Sequence, residues 1–91
     1  LKKYFETSVE ERLKREFTEN AYWHEHLLNS VEQEYDASVT NVTVDSVSQY
    51  EDNEYNIDIT MIVNETTYWF TVNFDAVAND IIDFQYHIEN D

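Results

Sequence analysis

A strict alternation of apolar and polar side chains restricts the fold of this chain more than any other feature. Apolar residues occupy every second position from Tyr55 to Val63, and a run of the same period extends from Tyr68 to Phe74. Successive side chains of a β-strand point to opposite faces of the sheet, so this period predicts two strands with one buried face. Asn64 and Glu65 lie between the runs and predict a tight hairpin turn. The chain is therefore expected to form an antiparallel sheet.

One further strand is predicted on each side of this hairpin. Before it, a set of valines keeps a period of two only if the phase slips, as a β-bulge would cause. These are Val39, Val42, Val44 and Val47. After it, a loop from Asp75 to Asp80 leads to a last strand with one apolar face. We expect that core face to carry Ile82, Phe84, Tyr86 and Ile88. The short connections predict an antiparallel meander of four strands.

The first third of the chain has the period of amphipathic helix. Thr7 and Ser8 each precede a glutamate by three residues, which is the pattern of a helix-capping box. Two apolar runs follow, separated by the polar stretch Thr18 to Asn20. The first run contains Val9, Leu13, Phe17 and Ala21, and the second contains Tyr22, Trp23, Leu27, Leu28, Val31 and Tyr35. The capping residues between the runs favour a break into two helices over one helix from Ser8 to Tyr35.

These patterns predict a single α+β domain that spans residues 1–91. Residues 1–35 are the helical segment, with one or two helices, and residues 36–91 form the antiparallel sheet. One face of such a sheet packs on the helices, and the other faces solvent. Trp69 and Ile62 lie out of step with the apolar stripe, so both are expected on the solvent face. A chain of this length has one modest core, which excludes an enzyme with a separate cofactor domain.

Sequence motifs that would carry chemistry are absent. The chain has no glycine, proline or cysteine, which excludes glycine-rich phosphate loops and thiolate chemistry. His24 and His26 would point to opposite sides of a helix, so they cannot share one metal ion. We interpret Asp75, Asn79 and Asp80 as turn residues rather than calcium ligands. The sequence therefore predicts a protein that is not an enzyme, with no catalytic residue, cofactor or metal site.

Charge is distributed unevenly along the chain. The formal net charge is −15, all five basic residues lie within the first fifteen positions, and Glu16 to Asp91 contain no Lys or Arg. Such a surface repels phosphates and anionic lipids and attracts basic proteins. We therefore expect a basic protein partner and no direct contact with nucleic acid. Membrane association is expected only through an anchor that precedes Leu1.

The order of the predicted elements resembles that of small cystatin-like and NTF2-like domains. The resemblance rests on the helical segment Val9 to Tyr35, the hairpin Tyr55 to Phe74 and the closing strand Ile81 to Ile88. The stretch VNFDAVANDIIDFQY, residues 72–86, resembles the end of such a sheet. It covers most of the chain and includes no specific motif. The inhibitory glycine and the Gln-x-Val-x-Gly loop of cystatins are absent, so protease inhibition is not implied. The resemblance implies a cup-shaped sheet of the kind found in extracytoplasmic modules of bacterial lipoproteins and membrane-anchored proteins.

Three functions are compatible with these expectations. The first is a non-enzymatic protein-interaction or ligand-binding module in an extracytoplasmic, membrane-anchored or secreted protein. The second is a cytoplasmic acidic inhibitor that mimics DNA and fills a basic nucleic-acid-binding cleft. The third is self-association, as a homodimer, through the aromatic sheet face or an open strand edge. The candidate interaction residues are Trp69, Ile62, Glu51, Asp52, Glu54 and Asp58.

Overall fold

A computed structural model of the protein describes residues 8–31 and 39–89. Within these ranges two helices pack on one four-stranded antiparallel sheet, which confirms the predicted α+β fold. The elements are α1 (Val9–Glu19), α2 (Ala21–Ser30), β1 (Val39–Glu51), β2 (Glu54–Val63), β3 (Thr66–Asp75) and β4 (Asp80–Ile88). The strands lie in chain order across the sheet, as expected for a meander. Thr7 and Tyr35, which we assigned to the helical segment, lie outside the described residues.

Two polar residues set the helix boundaries. Ser8 is the N-cap of α1, and its Oγ accepts a hydrogen bond from the backbone N–H of Glu11 at 3.1 Å. Asn20 ends α1 and also caps α2, because its side-chain oxygen accepts a hydrogen bond from the N–H of Tyr22 at 3.0 Å. An extended backbone at Asn20 prevents the helix from continuing. The predicted break is therefore confirmed, and the helical segment forms two helices.

The two helices cover the sheet with an aromatic cluster at their junction. The rings of Phe17 and Trp23 stack with centroids 5.1 Å apart, and Phe74 meets each of them edge-on at 5.3 Å. These rings join α1, α2 and β3 in one core. The other buried apolar residues are Leu13, Leu27, Leu28, Val44, Tyr55, Ile57, Ile59, Met61, Val63, Tyr68, Phe70 and Val72. Burial at every second position of β2 and along most of β3 confirms the predicted alternation.

Residues with positive φ form the tight turns in place of glycine. Asn64 and Glu65, with φ of 52° and 69°, connect β2 to β3. Asn79, with φ of 59°, precedes β4. The loop before it is held by Asp75, whose Oδ1 accepts hydrogen bonds from the backbone N–H groups of Val77 and Ala78. The interpretation of this segment as a turn is therefore confirmed.

The pairing of β1 explains its irregular valine spacing. Its register against β2 shifts three times, once between Val44 and Ser46, which makes Asp45 an extra residue in the strand. Each shift moves later side chains relative to the sheet faces. The predicted phase slip is confirmed, and it occurs at more than one position.

The apolar face of β4 differs from our expectation. Asn73 pairs with Asp83 while Phe74 pairs with Ile81, so Ile82 is the extra residue of a bulge. Ile81 therefore lies against the core in the position that we assigned to Ile82, which is 52% exposed. Tyr86 contacts the ring of Phe70 at 6.1 Å but remains 50% exposed. Tyr86 remains exposed because β4 is the last strand of the sheet.

Two expectations for the helices are also wrong. Ala21 is exposed because the helix breaks immediately before it, and the apolar stripe of α1 ends with Phe17. Tyr22 is 58% exposed and lies edge-on against Trp23 rather than in the core.

Candidate interaction surface

An aromatic pair lies near the middle of the solvent face of the sheet. Trp69 on β3 is directly opposite Thr60 on β2 and His87 on β4. Its ring stacks on the imidazole of His87 with a centroid distance of 5.5 Å and an interplanar angle of 19°. Trp69 nevertheless remains 40% exposed. The solvent-face position that we predicted for Trp69 is thus observed, and stacking on a cross-strand neighbour fixes the orientation of its ring.

A shallow depression adjoins this pair at the β3–β4 side of the sheet. Its volume is about 150 Å³, and it is open to solvent. The residues that line it are Trp69, Thr71, Gln85, Tyr86 and His87. The lining combines aromatic rings with neutral hydrogen-bonding groups. The depression is therefore smaller and more open than the enclosed pockets that usually hold small molecules.

Two carboxylates on the same face are held in place by neighbouring hydroxyls. Asp58 accepts hydrogen bonds from Ser46 at 2.8 Å and from Thr71 at 3.1 Å. Asp45, the extra residue of the β1 bulge, accepts a hydrogen bond from Thr60 at 2.5 Å. These bonds hold the two carboxyl groups in place near Trp69. The bulge in β1 therefore adds an acidic group to the face that carries the aromatic pair.

The acidic candidates Glu51, Asp52 and Glu54 lie at the turn between β1 and β2. Glu51 pairs with Glu54, and the turn is held by a hydrogen bond from the Gln49 side chain to the Asp52 carbonyl at 2.7 Å. The Tyr50 hydroxyl donates to the Glu54 carboxylate at 2.5 Å. This hydrogen bond is the largest of the effects that raise the pKa of Tyr50 to about 12. The residues of this turn share one end of the sheet.

Acidic residues continue across the sheet from that turn. Glu54 is directly opposite Asp75 on β3, and Asp75 is directly opposite Asp80 on β4. Neighbouring strands are about 4.8 Å apart, so like charges are placed close together in this row. The Asp75 side chain also caps the loop before β4. Part of this acidity therefore has a structural role.

The predicted interaction residues are spread along the sheet. Trp69, the half-buried Ile62, Asp58 and Glu54 share the solvent face of β2 and β3, since the three β2 residues have the same strand parity. Asp58 lies midway between the other two, and Glu54 is eight residues from Ile62, a distance of about 26 Å at 3.3 Å per residue. The structure therefore does not unite the six candidates in one cluster. His87, Gln85 and Tyr86 beside Trp69 were not predicted, because the sequence alone did not give the β3–β4 register.

The two helical histidines have different environments. His24 is 4% exposed, and its Nε2 donates a hydrogen bond to the carbonyl oxygen of Phe17 at 2.6 Å. His26 is half-buried, and its ring stacks on Tyr22 at 6.3 Å. His24 thus has a structural role that the sequence did not predict. Among the described residues, no group of three or more His, Cys, Asp or Glu side chains is placed to hold a metal ion.

No protein-family model, curated protein or solved structure matches this chain. Within residues 8–31 and 39–89, neither helix has the length and apolar character needed to cross a lipid bilayer.

Proposed function

We propose that the protein is a non-enzymatic interaction module that binds a basic protein partner through the solvent face of β3 and β4. The observation that carries the proposal is the exposed, stacked Trp69 beside an open depression on the solvent face of the sheet. Tryptophan is strongly enriched among residues that dominate binding energy at protein interfaces. A ring already fixed by His87 loses little freedom when a partner packs on it.

The charge around Trp69 supports a basic partner. Residues 39–89 contain ten Asp and Glu residues and no Lys or Arg, and Asp45 and Asp58 are held on the same face as Trp69. All basic residues of the described part lie on α1, namely Arg12, Lys14 and Arg15. A face of one sign accelerates encounter with a partner of the opposite sign and disfavours other partners.

We further propose that the module belongs to the extracytoplasmic part of a bacterial lipoprotein or membrane-anchored protein. The support is the order of two helices followed by a four-stranded meander, which is the order on which the cystatin-like and NTF2-like resemblance rests. The coding sequence upstream of Leu1 tests this assignment. A hydrophobic or lipid-attachment leader is the expected result, and a start codon with no leader would contradict it.

Binding can be tested with Trp69 as its own reporter. In the Trp23→Phe variant, Trp69 is the sole tryptophan. Trp23 Nε1 has no hydrogen-bond partner among the described residues, so this substitution removes no hydrogen bond seen there. Titration with an eight-residue oligolysine is expected to change the fluorescence of Trp69, and added salt should weaken the binding. An eight-residue oligoglutamate is the control ligand and should cause no change.

Variants of the chain separate the proposed site from general charge attraction. Trp69→Ala is expected to weaken oligolysine binding at least tenfold, as measured by calorimetry, because truncating a tryptophan that dominates an interface costs about 2 kcal/mol or more. Tyr22→Ala is the matched control, since Tyr22 is an exposed aromatic residue on α2. Equal binding by both variants and the unmodified chain would contradict the proposal.

A second candidate function is mimicry of DNA, which the acidic row at one end of the sheet favours. Glu54, Asp75 and Asp80 lie side by side across three strands, next to the Glu51–Asp52 turn. Such a row could occupy a cleft that binds phosphates. A basic nuclease should then be inhibited, with potency that falls steeply as salt rises. Glu54→Gln combined with Asp80→Asn should abolish inhibition if this function holds, whereas Trp69→Ala should not.

A further inference from the structure

Among the described residues β4 is an edge strand of the sheet, and its outer side presents a row of backbone groups. The N–H of Glu89 donates to the carbonyl oxygen of Thr67 on β3 at 2.9 Å. In an antiparallel pair the direction of the backbone groups alternates along the strand. The register from Asp83 to Ile88 is unbroken, so the N–H and C=O groups of Asp83, Gln85 and His87 also point to β3. Those of Phe84, Tyr86 and Ile88 point away from the sheet.

The opposite edge of the sheet is protected in a way that β4 is not. β1 contains three register shifts, which interrupt the straight run of backbone groups needed for pairing. Helix α1 also packs against β1. β4 has a single bulge, at Ile82, and its remaining residues up to Ile88 are regular. No proline or lysine lies on β4 to discourage pairing.

The side chains beside this edge also lack full cover. On the core side, Phe84 and Ile88 are half-buried and Tyr86 is 50% exposed. On the solvent side, Asp83 and Gln85 are exposed. A strand added beside β4 would therefore place alternate side chains against the aromatic core-side row and against the polar row that begins with Asp83.

We propose that β4 accepts an extended segment of the basic partner as a fifth, antiparallel strand. Residues of that segment opposite Phe84 and Tyr86 would be apolar, and residues opposite Asp83 and Gln85 would be Lys or Arg. The assignment deepens the proposed function and rests on it. Charge complementarity favours this occupant, since β4 carries Asp80 and Asp83 and the strands contain no Lys or Arg. A second copy of the chain fits less well, because it would bring together two molecules that each carry a net charge of −15.

Hydrogen exchange on the ¹⁵N-labelled 91-residue chain tests the proposal. The probe is a capped seven-residue peptide in which lysine and valine alternate. On addition of the peptide, the backbone N–H groups of Phe84, Tyr86 and Ile88 are expected to exchange at least tenfold more slowly. The inward N–H groups of Gln85 and His87 are internal references that should change little.

A second peptide with the same side chains, N-methylated at its valine residues, is the matched control. It retains the charge but lacks the N–H groups that would face β4 in the proposed antiparallel pairing, so it should bind about tenfold more weakly or worse. Asp83→Asn should weaken binding of the unmodified peptide several-fold. Equal affinity for the two peptides, or peptide binding without slower exchange at Phe84, Tyr86 and Ile88, would overturn the fifth-strand assignment.

The failures of the two proposals can be distinguished. If oligolysine changes Trp69 fluorescence but the alternating peptide leaves the β4 amides unprotected, the proposed function stands and the fifth strand does not. If oligolysine has no effect on Trp69, the proposed function itself fails. Protection of the β4 amides that rises with protein concentration in the absence of peptide would show that a second copy fills the edge, which also overturns the assignment.

Discussion

The Nε2 atom of His24 donates a hydrogen bond to the carbonyl oxygen of Phe17 and so joins the second helix to the end of the first. Phe17 lies in the last turn of α1, where carbonyl groups have no partner within the helix. The imidazole supplies that partner at a buried position. One side chain therefore satisfies a helix end and fixes the angle between α1 and α2.

Loss of this hydrogen bond should reduce the stability of the fold. His24→Ala is expected to lower the free energy of unfolding by about 1–3 kcal/mol, because a buried carbonyl is left without a donor. Urea denaturation followed by circular dichroism measures the change. His26→Ala is the control, since His26 is half-buried and stacks on Tyr22. A loss at His26 as large as that at His24 would contradict the role of the hydrogen bond.

Tyr50 should titrate at unusually high pH. Its hydrogen bond to the Glu54 carboxylate, with smaller effects of burial and of the nearby carboxylates, raises its pKa from 10.0 to about 12. Because the folded pKa is the higher one, the contribution to stability is complete below about pH 10 and is lost as the pH rises towards 12. The absorbance difference at high pH between the unmodified chain and Tyr50→Phe measures the titration. In Glu54→Gln the Tyr50 pKa should return towards 10.0; an unchanged value would exclude Glu54 as its cause.

Replacing Glu65 by glycine should stabilise the β2–β3 hairpin. Glu65 has φ of 69°, a conformation that glycine adopts without steric cost, and Asn-Gly is the preferred sequence for such a turn. Glu65→Gly is expected to raise the free energy of unfolding by about 1 kcal/mol. Glu65→Ala removes the same charge but keeps the β-carbon, so it should give no such gain. Equal gains from both variants would assign the effect to charge.

The bulge on β4 places two adjacent isoleucines in different environments, Ile81 against the core and Ile82 in solvent. Ile81→Lys is expected to cost about 1–3 kcal/mol, since Ile81 packs against the core. Ile82→Lys should change stability by less than about 0.5 kcal/mol because its side chain is already in solvent. Thermal denaturation of both variants measures the difference. If Ile82→Lys is the less stable variant, then Ile82 rather than Ile81 faces the core, as the regular alternation predicted.

The success of sequence reasoning here depended on local signals. The alternation from Tyr55 to Val63, the cap at Ser8 and the polar break at Asn20 each act within a few residues, so the sequence predicted them. The exposure of Ile82 depends on a bulge that forms only when β4 pairs with β3. The apolar residues of this segment alternate regularly in the sequence, so nothing in the sequence indicated the bulge.

The candidate surface was predicted less completely than the fold. The solvent-face position of Trp69 followed from its phase in the strand, but its stacking on His87 required the β3–β4 register. The sequence did not indicate the structural role of His24, because its hydrogen-bond partner is a backbone carbonyl, which every residue has. The place of β4 at the edge of the described sheet is a property of the tertiary structure, so the sequence did not reveal it.

The chain order of the strands across the sheet has a consequence for how fast the protein folds. Each strand pairs with its neighbour in sequence, and the three connections contain no more than the four residues 76–79. The entropy lost in closing such short loops is small, so the sheet can form by successive hairpins. With no proline in the chain, no slow prolyl isomerisation delays this process. Docking of α1 and α2 onto the sheet is the remaining non-local step, and it is therefore expected to limit the folding rate.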